Sequence, residues 1–160
     1  IPDFSADVQY EAEIVLRISK LGKGIAAKHA GRYFDALTVG IDFTARDLQN
    51  KFSKAGYPWE LSKTFDGAAP LGNFIPKEKF ADLTNISFTL DINGIRKQTG
   101  NTSDLIFAFN EIISYVSKYY TLKTGDLIFT GTPSGVGPVH IGDNLTARLE
   151  DETVLDFFAR

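Results

Sequence analysis

Tyr10-Glu11-Ala12-Glu13-Ile14-Val15-Leu16-Arg17-Ile18-Ser19 is the stretch on which the reading of this chain turns. Tyr10, Ala12, Ile14, Leu16 and Ile18 alternate with Glu11, Glu13, Val15 and Arg17, the two-residue period of a half-buried β-strand. On such a strand Glu11 and Glu13 project from one face, with roughly 6.5–7 Å between their α-carbons. Carboxylates that close repel, and each raises the other's pKa unless a cation lies between them. From spacing alone, a solvated strand face remains the commoner explanation of Glu-x-Glu.

Downstream, residues 25–37 read as a helix with Ala26, Ala30, Tyr33, Phe34 and Leu37 on one side. Leu37 to Phe43 is β-prone and apolar except for Asp42. Thr44 and Asp47 form a T-x-x-D capping box ahead of Leu48 and Phe52, which predicts a second helix stopped by Gly56 and followed by Pro58. Tyr57 to Pro76 is expected to be an ordered loop rich in aromatics and prolines. Ser87 to Ile92, the Asn93-Gly94 turn and Ile95 to Thr99 give a hairpin. Asn110 is the expected cap of a helix running to Tyr120, with Ile112, Ile113, Val116 and Tyr120 inward. Leu127 to Thr130, Leu145 to Glu150 and Val154 to Phe158 are strands, and Gly131 to Pro138 is a glycine-rich loop. Strands interrupted by a few helices, without an internal repeat, predict one mixed, mainly antiparallel β domain over residues 1–160.

Composition narrows the function. The 160 residues suffice for one core, and 43% hydrophobic with 23% charged residues is ordinary for a globular protein. A net charge of −3 gives no electrostatic footprint for nucleic acid, and none is expected as a partner. Cysteine is absent, which excludes disulfides, thiolate nucleophiles and zinc–thiolate sites and fits a cytoplasmic location. No apolar run reaches membrane-spanning length, so no membrane partner is expected. Sequons at Asn85, Asn101 and Asn144 read as chance. The chain has no Met and starts at Ile1, so the expectation is that an N-terminal segment was removed or lies outside this sequence.

Asp42, ending an apolar strand, needs solvent or a partner. Together with Glu11 and Glu13 it would make an all-oxygen ligand set, suited to Mg²⁺ or Mn²⁺ and less to Ca²⁺. Asp47 is assigned to helix capping instead. Arg46 and Gln49 share a helix face, and a wet surface explains them as readily as a site. Lys63, among Trp59, Leu61 and Phe65, is either partly desolvated or a snorkelling surface lysine. The Gly131–Pro138 loop exposes N–H groups able to hold a carboxylate or phosphate, although a plain turn is the default. It lacks the Gly-Lys-Ser/Thr of a P-loop, and Ser134 is not in a Gly-x-Ser-x-Gly elbow. His29 and His140 are isolated and read as structural.

Taken together, Tyr10-Glu11-Ala12-Glu13, Gly40 to Gln49, Trp59 to Phe65, Pro76 to Lys79, Ile113 to Ser117 and Leu127 to Pro133 resemble the fumarylacetoacetate hydrolase family. The likeness covers nearly the whole chain and is closest to the branch of acylpyruvate hydrolases and oxaloacetate decarboxylases. It implies a β-rich fold of the mixed β-sandwich-roll type, a homodimer and a divalent metal on Glu11, Glu13 and Asp42. It also implies substrate contacts from Arg46, Gln49, Lys63 and Thr132, with Lys63 catalytic. The implied substrate is a small anionic 2-oxo acid or acylpyruvate, hydrolysed or decarboxylated through an enolate. A 2-hydroxyhepta-2,4-diene-1,7-dioate isomerase/decarboxylase is the alternative within the family. Outside enzymes, a non-catalytic metal and 2-oxo acid binding protein competes, as does a purely structural β protein with its three acids unrelated in space. The family's water-activating His and Glu belong to an N-terminal lid upstream of the metal strand, where this chain has only residues 1–9.

Overall fold

The computed structural model describes residues 1–160, and its strands pair antiparallel throughout. In chain order they are β1 (Val8–Tyr10), β2 (Ala12–Ile18), β3 (Phe34–Ile41), β4 (Thr44–Ala45), β5 (Ile75–Pro76) and β6 (Ser87–Ile92). They continue with β7 (Ile95–Asn101), β8 (Leu127–Phe129), β9 (Gly137–Pro138), β10 (Asn144–Leu149) and β11 (Glu152–Phe158). The α-helices are α1 (Ala27–Ala30), α2 (Arg46–Ala55) and α3 (Phe109–Tyr119).

Three sheets result, ordered β4-β1-β9, β5-β3-β2-β8 and β11-β10-β6-β7. β2 is more deeply set than its alternation predicts. Flanked by β3 and β8, it buries both faces, and only Arg17 reaches the edge of the core. Ile14, Leu16 and Ile18 join Leu37, Val39 and Ile41 of β3 and Leu90, Leu145 and Leu149 of the third sheet in one apolar core. The β6–β7 hairpin turns on Asn93 and Gly94, both at positive φ, as the type I′ geometry requires.

Three local expectations are corrected. The helix read over 25–37 shrinks to α1, because Phe34, Ala36 and Leu37 pair with Ile18, Arg17 and Leu16 in the β3–β2 ladder. Arg17 locks that register through two hydrogen bonds to Asp35, at 2.9 and 3.0 Å. Apolar spacing that suits a helix face was overridden by a strand already offering a ladder. Thr44 does not cap α2, since it lies buried in β4 opposite Gln9. Asp47 is structural, as expected, but it fastens the N-terminal segment by accepting from Ser5 Oγ (2.6 Å) and the Ala6 N–H (3.1 Å). Asn110 is inside α3 rather than at its cap, and Glu111 reaches back to accept from the Ala108 N–H at 2.9 Å.

Of the chain's passages from sheet to sheet, three meet around one spot: at Glu11 between β1 and β2, at Asp42–Phe43 between β3 and β4, and from Thr130 to Val136 between β8 and β9. The first two crossings are stitched together by the Asp42 N–H, which donates to the Glu11 carbonyl at 2.8 Å.

Candidate active site

At a sheet crossing the backbone leaves its ladder, so side chains there are free to converge instead of alternating. Glu11 and Asp42 occupy two crossings, and Glu13 follows one residue into β2. One carboxylate oxygen from each lies within 4.8 Å of the other two, a spacing that one cation spans. The three acids are therefore neighbours, contrary to the reading of an unrelated scatter on a structural β protein.

Two basic side chains close on this cluster. α2 begins just past the second crossing, and its first residue, Arg46, donates from Nη2 to Glu11 Oε1. Arg46 also reaches Gln49 Oε1 at 2.5 Å and Gln9 Oε1 at 3.0 Å, so Arg46 and Gln49 do share the site-facing side of the helix. Lys63 leaves a short 3₁₀ turn over Glu60–Ser62, which the buried Ser62 pins by donating to the Trp59 carbonyl. Its ammonium bridges Glu11 Oε2 at 2.8 Å and Asp42 Oδ2 at 2.6 Å. Only a fifth of the Lys63 side chain is exposed, which decides between the two readings of this residue in favour of partial desolvation.

The third crossing brings the glycine loop. The Gly131 N–H donates to Glu13 Oε2 at 2.6 Å, so the carboxylate this loop holds is the chain's own. Gly131 sits at φ 104°, a conformation that side chains resist. Next to it, Thr132 Oγ1 accepts from Gln98 Nε2 at 2.9 Å.

The acids differ electrostatically although they are adjacent. Burial works against the charge of Glu11, but hydrogen bonds from Lys63 and Arg46 outweigh it and hold Glu11 below the usual range. Burial raises Asp42, offset only in part by Lys63. Glu13 is pushed up to about 7, chiefly by burial and then by the charges of Asp42 and Glu11, against the Gly131 N–H. An acid held this way has a strong tendency to take up a proton or a cation. The all-oxygen donor set, with an ammonium already drawn between two of its members, fits a hard divalent cation.

Neither histidine belongs here. His29 is exposed on α1, and His140 faces Asp143, 3.5 Å away. Gln9 and Gln98 escaped the reading of the sequence. For Gln98 a faint signal exists: it and Gly100 are the inward residues of a β7 whose Ile95, Arg96 and Lys97 are exposed.

On a mainly β scaffold, three acids thus converge with an arginine and a lysine, a donor set of the kind metal-dependent enzymes use. Residues 1–156 match the fumarylacetoacetate (FAA) hydrolase C-terminal family. The chain is 39% identical over 155 residues to the oxaloacetate tautomerase YcgM of Escherichia coli K12, covering 96% of this chain and 71% of that protein. It is 43% identical over 142 residues to the mitochondrial oxaloacetate decarboxylase of Dictyostelium discoideum, covering 89% and 65%. The crystal structure of fumarylpyruvate hydrolase from Pseudomonas aeruginosa, in complex with Mn²⁺ and pyruvate, superposes with a TM-score of 0.89 at 35% identity, covering 93% of this chain and 64% of that one. The chain belongs to the fumarylacetoacetate hydrolase family and is an enzyme. This weighs against the reading of a non-catalytic binding protein.

Proposed function

We propose that residues 1–160 form the catalytic domain of a divalent-metal enzyme, with Mg²⁺ or Mn²⁺ on Glu11, Glu13 and Asp42. It acts on small anionic 2-oxo acids through an enolate. The observation that carries this reading is the convergence of those three acids with Lys63 and Arg46 from separate parts of the chain. Three carboxylates and one divalent ion sum to about −1, and Lys63 with Arg46 make the pocket attractive to a dianion.

When bound, the cation supplies Lewis acidity at the 2-oxo group, which favours the enolate. Arg46, held by Glu11, Gln9 and Gln49, orients the substrate carboxylate as a rigid fork, and the Thr132 hydroxyl adds a donor. Lys63 gives a proton to the enolate carbon or removes one in reverse. These groups suffice for enol–keto exchange and decarboxylation of an oxaloacetate-type dicarboxylate, and that is the favoured reaction class. The names borne by the E. coli and D. discoideum relatives support it. The test follows loss of enol-oxaloacetate absorbance and release of pyruvate, with and without chelator. Rates insensitive to both the chelator and Glu13→Gln would refute the proposal.

Acylpyruvate hydrolysis is the second reading, favoured by the likeness to the fumarylpyruvate hydrolase. It needs a base aimed at water, and the cluster's hydrogen-bond partners are Arg46, Lys63 and the Gly131 N–H. The His–Glu lid implied by the family resemblance would supply that base from upstream. We further place the enzyme in the cytoplasm as a homodimer; no helix is long and apolar enough to cross a membrane. Exposed Ile106, Phe107, Tyr115 and Tyr119 offer apolar area for a second copy, and light scattering that gives a monomer at micromolar concentration would contradict the dimer.

A further inference from the structure

Gln98 is 1% exposed, and its amide oxygen and both amide hydrogens are engaged beside the active site. Its Oε1 accepts from the Ala12 N–H at 2.9 Å, between Glu11 and Glu13. Its Nε2 donates to Thr132 Oγ1 at 2.9 Å and to the Pro133 carbonyl at 3.0 Å. The orientation of the amide is fixed by its partners. A backbone N–H can face only the oxygen, and a backbone carbonyl can face only the NH₂. Thr132 must therefore accept from Gln98, and its own O–H proton is left to point elsewhere.

From this we infer that Gln98 is a positioning residue that turns the Thr132 hydroxyl toward donating to the substrate carboxylate while seating the glycine loop on the Glu11–Glu13 segment. The inference rests on Thr132 touching substrate, as proposed above. The loop is seated closely: Gly135 lies at φ 103°, and a Cβ there would come 2.5 Å from the Lys97 carbonyl oxygen and 3.3 Å from Gln98 Cγ. A threonine hydroxyl free to rotate can spend its proton on a neighbouring acceptor and must then turn to meet an anion. The Gln98 amide N–H takes one lone pair and cannot accept that proton, so the hydroxyl is biased toward donating to substrate before it arrives.

Gln98→Glu and Thr132→Val test this singly and together. Gln98→Glu keeps an acceptor for Ala12 but offers Thr132 only lone pairs, so the hydroxyl turns to donate inward and presents oxygen to the substrate. In the metal-saturated enzyme, Gln98→Glu is expected to raise KM for oxaloacetate about tenfold with kcat within about threefold, the pattern of a lost binding interaction. The Kd for pyruvate, read by calorimetry, should weaken by a similar factor. Thr132→Val should do the same, and Gln98→Glu added to Thr132→Val should cost less than threefold more, about the scatter of independent effects. Gln98→Met, which abolishes both donations and leaves the hydroxyl free to rotate, should fall between wild type and Gln98→Glu in pyruvate affinity. If Thr132→Val leaves KM and Kd unchanged, Thr132 does not touch substrate and the underlying reading fails. If Thr132→Val acts but the Gln98 effects are absent, additive or confined to kcat, the assignment of Gln98 is overturned. Failure of both Gln98 variants to fold would overturn it too, leaving Gln98 a residue of the fold alone.

Discussion

Replacing Glu13 by Gln should stabilise the metal-free protein, and by an amount that depends on pH. Glu13 is 5% exposed and titrates near 7, against an ordinary value near 4.5. A carboxyl raised in the folded state stays protonated there after its unfolded counterpart has ionised. The folded state then binds more protons, so stability falls as pH rises from about 4.5 and the full penalty is present above 7. At about 1.4 kcal/mol per pH unit the rise from 4.5 to about 7 gives a penalty of about 3.5 kcal/mol, of which about 1 kcal/mol is already incurred at pH 5. Glu11, Asp35, Asp47 and Asp143 are lowered, so their contributions change only below this range, and the raised Asp42 adds in the same direction as Glu13. Gln keeps an acceptor for the Gly131 N–H and does not titrate. Urea unfolding in chelator should therefore show Glu13→Gln gaining about 2.5 kcal/mol on wild type between pH 5 and pH 8.5, a midpoint shift of about 1 M. Saturating Mg²⁺ should invert the order, since wild type alone keeps all three ligands. Stability curves that run parallel from pH 5 to 8.5 would refute the account of Glu13 as a frustrated acid.

Lys63→Met should lower kcat about 10²-fold, as expected for a proton donor or charge at the enolate; a normal kcat with a raised KM would make Lys63 a binding residue. The same substitution removes the ammonium between Glu11 and Asp42, so titration of the metal-free variant should show carboxyl pKa values shifted upward relative to wild type, and an unchanged curve would contradict the bridge.

Much of this was written locally in the chain. Alternation from Tyr10 to Ile18 is enough to find β2, and two glutamates spaced by one residue are enough to raise the question of a metal. Asn93-Gly94 fixes the hairpin, and Gly56, at φ 69°, ends α2 where the sequence ends it. What failed to show locally is whatever depends on a distant partner. Phe34 to Leu37 satisfies helical and strand periods alike, and only β2 lying alongside decides between them. Thr44 looks like a cap until β1 claims it. Gln98 is an unremarkable polar residue in a hairpin until Ala12, 86 positions away, needs an acceptor. The family resemblance supplied Lys63 and Thr132, which composition and spacing left open between site and surface.

Placing the acids at sheet crossings has a kinetic side. The three acids come together at the end of the β2–β3 ladder, but the groups that complete the site arrive from farther away: Gly131 meets Glu13 across 118 positions and Lys63 meets Glu11 across 52. Contacts that distant form late, after the entropy of long loops has been surrendered, whereas the β6–β7 hairpin and β2–β3 ladder are available early. The complete cation site, with Glu13 held by the Gly131 N–H, is then absent from the folding transition state and closes only beyond it. A chevron in chelator should show the unfolding limb raised and the folding limb unmoved relative to Mg²⁺-saturated protein. A cation held by these acids would act as a brake on unfolding, and the working lifetime of the enzyme would be tied to the supply of that metal.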